Sequence, residues 1–208
     1  MAKPKSNNIN RRDFIKTSSL FAVAVSIPGF SGCKDDEGID TTDDCQTTAD
    51  ILGPYYKAGA PLGENIIPAG DQTPPLVIEG KVFSDCNDLL ADAVVEIWNA
   101  DADGAYDSSE LFLFRGKYNT QAEGAYRFIT IIPGRYLNGS TYRPSHIHFR
   151  ITAPGHRELV SQIYFKEDPF IDTDPWASDS KAKERILTIE KDVNGVDTLT
   201  FDIHLIKG

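Results

Sequence analysis

The residues able to do chemistry gather in one stretch, Pro-Gly-Arg-Tyr-Leu-Asn-Gly-Ser-Thr-Tyr-Arg-Pro-Ser-His-Ile-His-Phe, running from Pro133 to Phe149. His146 and His148 are one residue apart and lead into Phe149, Arg150, Ile151 and Thr152, a run of strand character. Side chains at i and i+2 of a strand share a face, so both imidazoles point one way and Ile147, Phe149 and Ile151 turn to the core. Two neutral imidazoles converging on a point make half of a transition-metal site. Arg143 precedes Pro144, which restricts its backbone to an extended form close to the pair. Taken alone, a His-x-His is more often surface decoration or core filler, because short motifs arise freely by chance. The rest of the chain has to supply the context.

The elements that must hold these residues are short and β-like. Runs of strand character cover Leu76–Phe83, Ala93–Trp98, Ala125–Ile131, His146–Thr152 and Leu159–Phe165. A final pair, Ile186–Lys191 and Thr198–Ile206, flanks the hairpin signal Asn194-Gly195. Only Ser178–Arg185 looks helical, and residues 57–75 read as an irregular Gly- and Pro-bearing arm. Short strands without alternating helices predict an all-β fold, an antiparallel β-sandwich or barrel with long loops and one short helix. Gly80 inside the first strand reads as a bulge. The loop Asp101-Ala-Asp-Gly-Ala-Tyr106 delivers a tyrosine beside the end of a strand. It lacks the oxygen spacing and terminal glutamate of an EF-hand, which argues against calcium.

Residues 1–32 read as a leader rather than part of the domain. Asn10-Arg-Arg-Asp-Phe-Ile-Lys16 is a twin-arginine pattern, and the apolar run Leu20–Ile27 is too short to span a bilayer. Phe30-Ser-Gly-Cys33 resembles a lipobox, in which Cys33 is acylated after cleavage, and Lys34-Asp-Asp-Glu37 resembles a surface-export tag. The expected protein is exported by the twin-arginine route as a periplasmic or cell-surface lipoprotein. Residues 33–50 are expected to form an acidic, solvated tether, and residues 51–208 the catalytic domain. Cys45 and Cys86 remain, an even count that suggests one disulfide in an oxidising compartment.

The 208-residue chain has 21 Lys and Arg against 31 Asp and Glu. Residues 1–32 hold five of those bases and one of the acids, so the remainder carries 16 against 30, a formal net charge of −14. Such a surface repels nucleic acid and anionic headgroups, which leaves a lipid anchor as the expected membrane contact.

Together these segments resemble the intradiol ring-cleavage dioxygenases, the protocatechuate and catechol type. The resemblance runs over about residues 44–206 and rests on an ordered set of motifs. They are Gly53-Pro-Tyr-Tyr56, Ala93-Val-Val-Glu-Ile-Trp-Asn-Ala100 with Gly104-Ala-Tyr106, Gly124-Ala-Tyr-Arg-Phe128, Pro133-Gly-Arg-Tyr136, Arg143-Pro-Ser-His-Ile-His-Phe149 and Gln162-Ile-Tyr-Phe165. It implies a prealbumin-like β-sandwich core and a non-haem Fe(III) cofactor held by Tyr106, Tyr136, His146 and His148. The implied reaction joins O2 to a small aromatic diol and cleaves between the two hydroxyl-bearing carbons, giving a cis,cis-muconate-type diacid. The axial tyrosine, here Tyr136, would take up a proton, Arg143 would stabilise negative charge developing on the ring, and Gln162 would stand behind the metal. Tyr55, Tyr56 and Tyr164 are candidates for the substrate wall, although buried packing explains them equally well. His156 and His204 match no motif and read as structural.

The sequence shows no helical amino-terminal segment of the catechol 1,2-dioxygenase kind, so it looks closer to one protocatechuate dioxygenase subunit or to small secreted members. The oligomeric state stays open, a homo-oligomer included. Two other readings compete: an exported β-sandwich binding module without chemistry, and a zinc or copper site on the two histidines alone.

Overall fold

The longer β-runs carry apolar residues on one face, and the computed structural model, which describes residues 45–208, stacks those faces against each other. The leader, Cys33 and the tether up to residue 44 lie outside the described residues. In chain order the strands are β1 (Pro75–Ser84), β2 (Asp88–Leu89), β3 (Val94–Trp98), β4 (Arg115–Asn119) and β5 (Ala125–Ile131). There follow β6 (Leu137–Asn138), β7 (Thr141–Tyr142), β8 (His146–Thr152) and β9 (Leu159–Phe165). The last are β10 (Ile186–Leu187), β11 (Glu190–Lys191), β12 (Asp197–Thr200) and β13 (Ile203–Leu205).

One sheet runs β11-β12-β1-β13, with β5 and β2 also paired to β1; the other runs β10-β9-β8-β3-β4. Between them lies the core: Leu76, Ile78 and Val82 of β1, Phe128 of β5, Val95 and Ile97 of β3, and Ile147, Phe149 and Ile151 of β8. The expected β-sandwich is present, and β5, β8 and β9 occupy their expected ranges.

Four details differ from expectation. β4 was not foreseen, because Arg-Gly-Lys-Tyr-Asn has no apolar alternation; it is an edge strand held through the β3 register Val94↔Asn119 to Trp98↔Arg115. Residues 186–191 and 198–206 are not single strands: β10 closes one sheet and β11 joins the other, so the chain changes sheets within the first, and the second breaks at Phe201-Asp202 between β12 and β13. The pairings β1–β12, β1–β13 and β9–β10 are parallel, since each joins segments separated by long connections rather than hairpins. The expected helix is a 3-10 turn, Ser180–Arg185, whose N-cap Asp179 accepts from Lys181 N–H.

Gly80 is not a bulge: the β1–β5 register runs unbroken through Gly80↔Tyr126, where β1 passes from pairing with β12 to pairing with β13. A Cβ there would collide with the Phe201 backbone carbonyl, so a close approach of two backbones requires this glycine.

Candidate metal centre

The face of the second sheet turned away from the core carries the candidate site. Cross-strand register aligns Arg115, Trp98, His148 and Gln162 in one row over β4, β3, β8 and β9. His146 stands opposite Tyr164 in the neighbouring row. The i, i+2 spacing thus puts both imidazoles on one face as the sequence requires, and both are buried.

Two loops bring the tyrosines over this face. Asp101 organises the first: its Oδ1 accepts from the N–H groups of Asp103 and Ala105, at 3.0 and 2.8 Å. Its carbonyl accepts from Gly104 and, at 2.8 Å, from Gly134 of the second loop. Gly104 has φ +85°, and a Cβ on it would strike the Arg135 carbonyl. The loops ending in Tyr106 and Tyr136 are therefore fastened to each other, and the Asp101 carboxylate is committed to loop amides rather than to a cation. The two tyrosine rings meet edge-on with centroids 5.7 Å apart, and Tyr136 lies 5.7 Å from the His146 ring.

Tyr106 Oη stands 3.2 Å from His146 Nε2 and 3.1 Å from His148 Nε2. His146 Nδ1 lies 2.6 Å from the Pro144 carbonyl, which can only accept, so the proton is on Nδ1 and the Nε2 lone pair is free. His148 Nδ1 is buried without a partner among the described residues. Burial, and then the Arg143 charge, push the His146 pKa down to about 3. Burial, the neighbouring His146, Arg143 and Arg115 hold His148 well below its ordinary value. Both rings are thus neutral donors at pH 7. Burial and the nearby Tyr136 raise the Tyr106 phenol well above its ordinary value, so only a strong local cation would ionise it.

The donor set fits a metal. It offers two imidazole nitrogens and two phenol oxygens, and the nearest acids are already engaged: Asp174 with Arg143, Asp168 with Arg135 and the Ser145 amide. Among the described residues no group of three or more His, Cys, Asp or Glu is placed to share a metal ion. A two-histidine, one-carboxylate arrangement is therefore not what surrounds this pair.

The remaining sequence candidates fall into three positions. Arg143 is 2% exposed and Gln162 fully buried; Arg143 Nη1 points at His146 Nε2 at 3.4 Å, while Nη2 donates to Gln162 Oε1 at 3.2 Å. Tyr55 lies at the rim, 40% exposed, stacked on Tyr106 with centroids 4.2 Å apart. Tyr164 and Tyr56 do not line the opening. Tyr164 is fully buried against Ala177 and Ala182, and its hydroxyl donates to Asp50 at 2.8 Å. Tyr56 packs edge-on against Trp98, with its hydroxyl between Glu96 and Arg150. Tyr164 faces protein because other segments cover β9 there, which strand periodicity does not reveal, and Tyr56 belongs to the arm that forms part of that cover.

The arm at residues 45–56 supplies much of that cover. Its first residues were expected to be solvated tether, but they pack on the domain: Thr47 bonds to the His204 backbone, and Asp50 forms a buried ion pair with Arg185 at 2.6 Å. The arm is anchored by the Cys45–Cys86 disulfide, with Cα atoms 5.4 Å apart. Further along, the Ile51 carbonyl accepts from Gln162 Nε2 at 2.7 Å. Gly53 then crosses directly over His148, with φ +73°. His156 and His204 are structural, one bonded to Ser84 and the other stacked on Phe83.

Sequence reasoning missed Trp98, which stacks on His148, and Asp174 and Trp176, which hold Arg143. Trp98 had a partial signal, its i, i+2 relation to Glu96 at the end of a strand, but its place beside His148 came with the β3–β8 pairing. Asp174 and Trp176 had none, because their segment meets the site only in the fold.

A family model described as "Dioxygenase" matches residues 51–207. A chlorocatechol 1,2-dioxygenase of Pseudomonas putida is 33% identical over 172 residues, covering 73% of this chain and 65% of the relative. The protocatechuate 3,4-dioxygenase beta chain of Burkholderia cepacia is 36% identical over 155 residues, covering 67% of this chain and 61% of the relative. The chain thus spans somewhat under two thirds of the length of these curated relatives. Among solved structures, the dioxygenase domain of a dioxygenase–carbohydrate-binding protein fusion from Streptomyces sp. SirexAA-E superposes with TM-score 0.68 at 31% identity. That match covers 78% of this chain and 99% of the other. On these grounds the chain belongs to the dioxygenase family that includes the catechol 1,2- and protocatechuate 3,4-dioxygenases, the intradiol type.

Proposed function

We propose that the chain is a non-haem Fe(III) enzyme that cleaves a catechol-type diol with O2 between the two hydroxyl-bearing carbons, giving a cis,cis-muconate-type diacid. The observation that carries this reading is the Tyr106 hydroxyl within 3.2 Å of both imidazole Nε2 atoms, with the Tyr136 ring beside it. Phenolate oxygens suit a hard, highly charged ion better than two histidines alone do. Holding a tyrosine with pKa near 10 ionised at pH 7 costs about 4 kcal/mol, which a multivalent cation offsets. Ferric iron, when bound, would keep the phenolates and the diol oxygens anionic and make the electron-rich ring reactive toward O2.

The chain's own residues do the rest. His146 and His148 present neutral nitrogens, the first oriented by its bond to Pro144. Tyr106, clasped between them, is the permanent phenolate, and Tyr136, half-exposed at the opening, is the one free to take up a substrate proton. Arg143 Nη1 faces the same point and stabilises negative charge on the ring. Tyr55, stacked on Tyr106, provides a flat wall for an aromatic substrate. The names of the relatives, chlorocatechol and protocatechuate dioxygenases, support the substrate class. Export is part of the same proposal, supported by the twin-arginine pattern and by a disulfide that suits an oxidising compartment.

The test is a visible spectrum with metal analysis on the iron-loaded protein, followed by a panel of catechols. A tyrosinate-to-iron charge-transfer band, about one iron per chain, and ring cleavage lost in Tyr106→Phe are expected. A protein that stays colourless after iron loading sinks the proposal and favours a binding module; bound zinc or copper without iron favours a site on the two histidines alone.

A further inference from the structure

Arg143 has five N–H donors in a rigid planar fork, so the way it is gripped decides which edge reaches the reacting centre. Asp174 grips it side-on: Oδ2 accepts from Nε at 2.8 Å and Oδ1 from Nη2 at 3.3 Å. Nη2 also reaches Gln162 Oε1 and the Tyr164 hydroxyl, both at 3.2 Å. The Trp176 ring lies under the guanidinium, with Cζ 4.4 Å from its centroid. Nη1 points at the ligand cluster, 3.4 Å from His146 Nε2, and the guanidinium also bonds the Tyr136 side chain of that cluster.

Asp174 is itself held. Its Oδ1 accepts from the backbone N–H groups of Trp176 and Ala177, at 3.1 and 2.9 Å, just beyond the 3-10 turn Ile171–Thr173. Arg143 and Asp174 are each 2% exposed, so water does not compete for these bonds. One carboxylate therefore fixes the turn that carries Trp176 and the orientation of Arg143 together.

We propose that Asp174 is a positioning residue for ring cleavage: its side-on grip presents Arg143 Nη1, and no other edge, to the charge that develops on the substrate ring. This rests on the function proposed above. A carboxylate that served only to shape the turn would need one acceptor oxygen, not two oxygens on one guanidinium.

Asp174→Asn separates the roles, because the amide oxygen still accepts from Trp176 and Ala177 while the charge and the second acceptor are gone. The expected variant keeps its iron content, its colour and its melting temperature above the assay range. Its kcat falls about a hundredfold with KM little changed, as for a group misplaced by an ångström. A readout independent of turnover uses the metal-free protein: separate Nη1 and Nη2 resonances of Arg143 in the native chain should merge in Asp174→Asn as the guanidinium rotates. If the native chain binds no iron or cleaves no ring, the functional reading fails and the resonances still test the grip. An unchanged kcat, or resonances that stay separate, overturns the proposal. Should Asp174→Asn not fold, Asp174→Glu keeps the charge but moves the carboxylate by one methylene, and the same loss of kcat with retained colour is expected; native kcat overturns it.

Discussion

Trp98 lies flat against His148, with ring centroids 4.8 Å apart and planes 6° from parallel. The β3–β8 register places the two side by side, and Tyr56 meets the indole edge-on at 5.0 Å. This stack helps set the plane of the His148 ring, beside a backbone contact from Ile51.

Removing the stack should weaken binding of the proposed metal. Trp98→Ala is expected to weaken metal retention about 10- to 100-fold, the usual effect of losing an orienting neighbour. It should also cost about 3–5 kcal/mol of stability as a large core truncation. Trp98→Phe, which keeps an aromatic face, should retain most of both. Competition with a chelator measures the first, and urea unfolding the second. An alanine variant that holds iron like the native chain would show that the stack does not orient His148.

Gly53 crosses His148 so closely that a Cβ would lie 3.0 Å from the ring Cε1, at φ +73°. Gly53→Ala should cost about 1–2 kcal/mol in backbone strain alone. It should also displace the imidazole, altering the visible band of the iron-loaded protein. A spectrum and an unfolding midpoint that match the native protein would rule out this close approach.

The Cys45–Cys86 bridge spans a sequence separation of 41 residues and anchors the arm that carries Asp50, Ile51 and Gly53. Opening it, by reduction or by replacing both cysteines with serine, should lower stability by about 4 kcal/mol on the loop-entropy scale. Amide exchange should rise first along residues 45–53. Equal unfolding midpoints with and without reductant would contradict this.

The metal-free protein should lose stability in mild acid. In the folded chain His146 stays neutral down to about pH 3 and His148 to a value well below its ordinary one, because both are buried. An unfolded histidine takes its proton near pH 6.5, so below that pH the unfolded state binds more protons. Stability should therefore fall as pH drops from about 6.5, by up to about 1.4 kcal/mol per pH unit for each ring. Unfolding titrations between pH 7 and pH 4 measure the slope. Replacing His146 with Gln should remove about half of it, and a flat native profile would mean the rings are not buried neutral.

Much of this site is written in local sequence. The His146-x-His148 spacing puts two imidazoles on one face and Ile147, Phe149 and Ile151 in the core, since strand side chains alternate. Asn194-Gly195 marks its turn, and the glycines of the Tyr106 and Tyr136 loops mark close backbone approaches. Tyr164 shows where such reading stops. Periodicity gives the face of a strand residue but not what covers that face, and here protein covers it.

By itself, the sequence determined the β-sandwich, the histidine pair, the two loop tyrosines and an arginine braced before proline, because each depends on neighbours within a few residues. Only the tertiary structure decided that Asp174 grips Arg143, that Trp98 backs His148, that Asp50 and Arg185 lock the arm, and that residues 186–191 change sheets. Those contacts join segments from roughly thirty to more than a hundred residues apart. Burial and desolvation, which make them strong, exist only once the two sheets and the arm have closed around them.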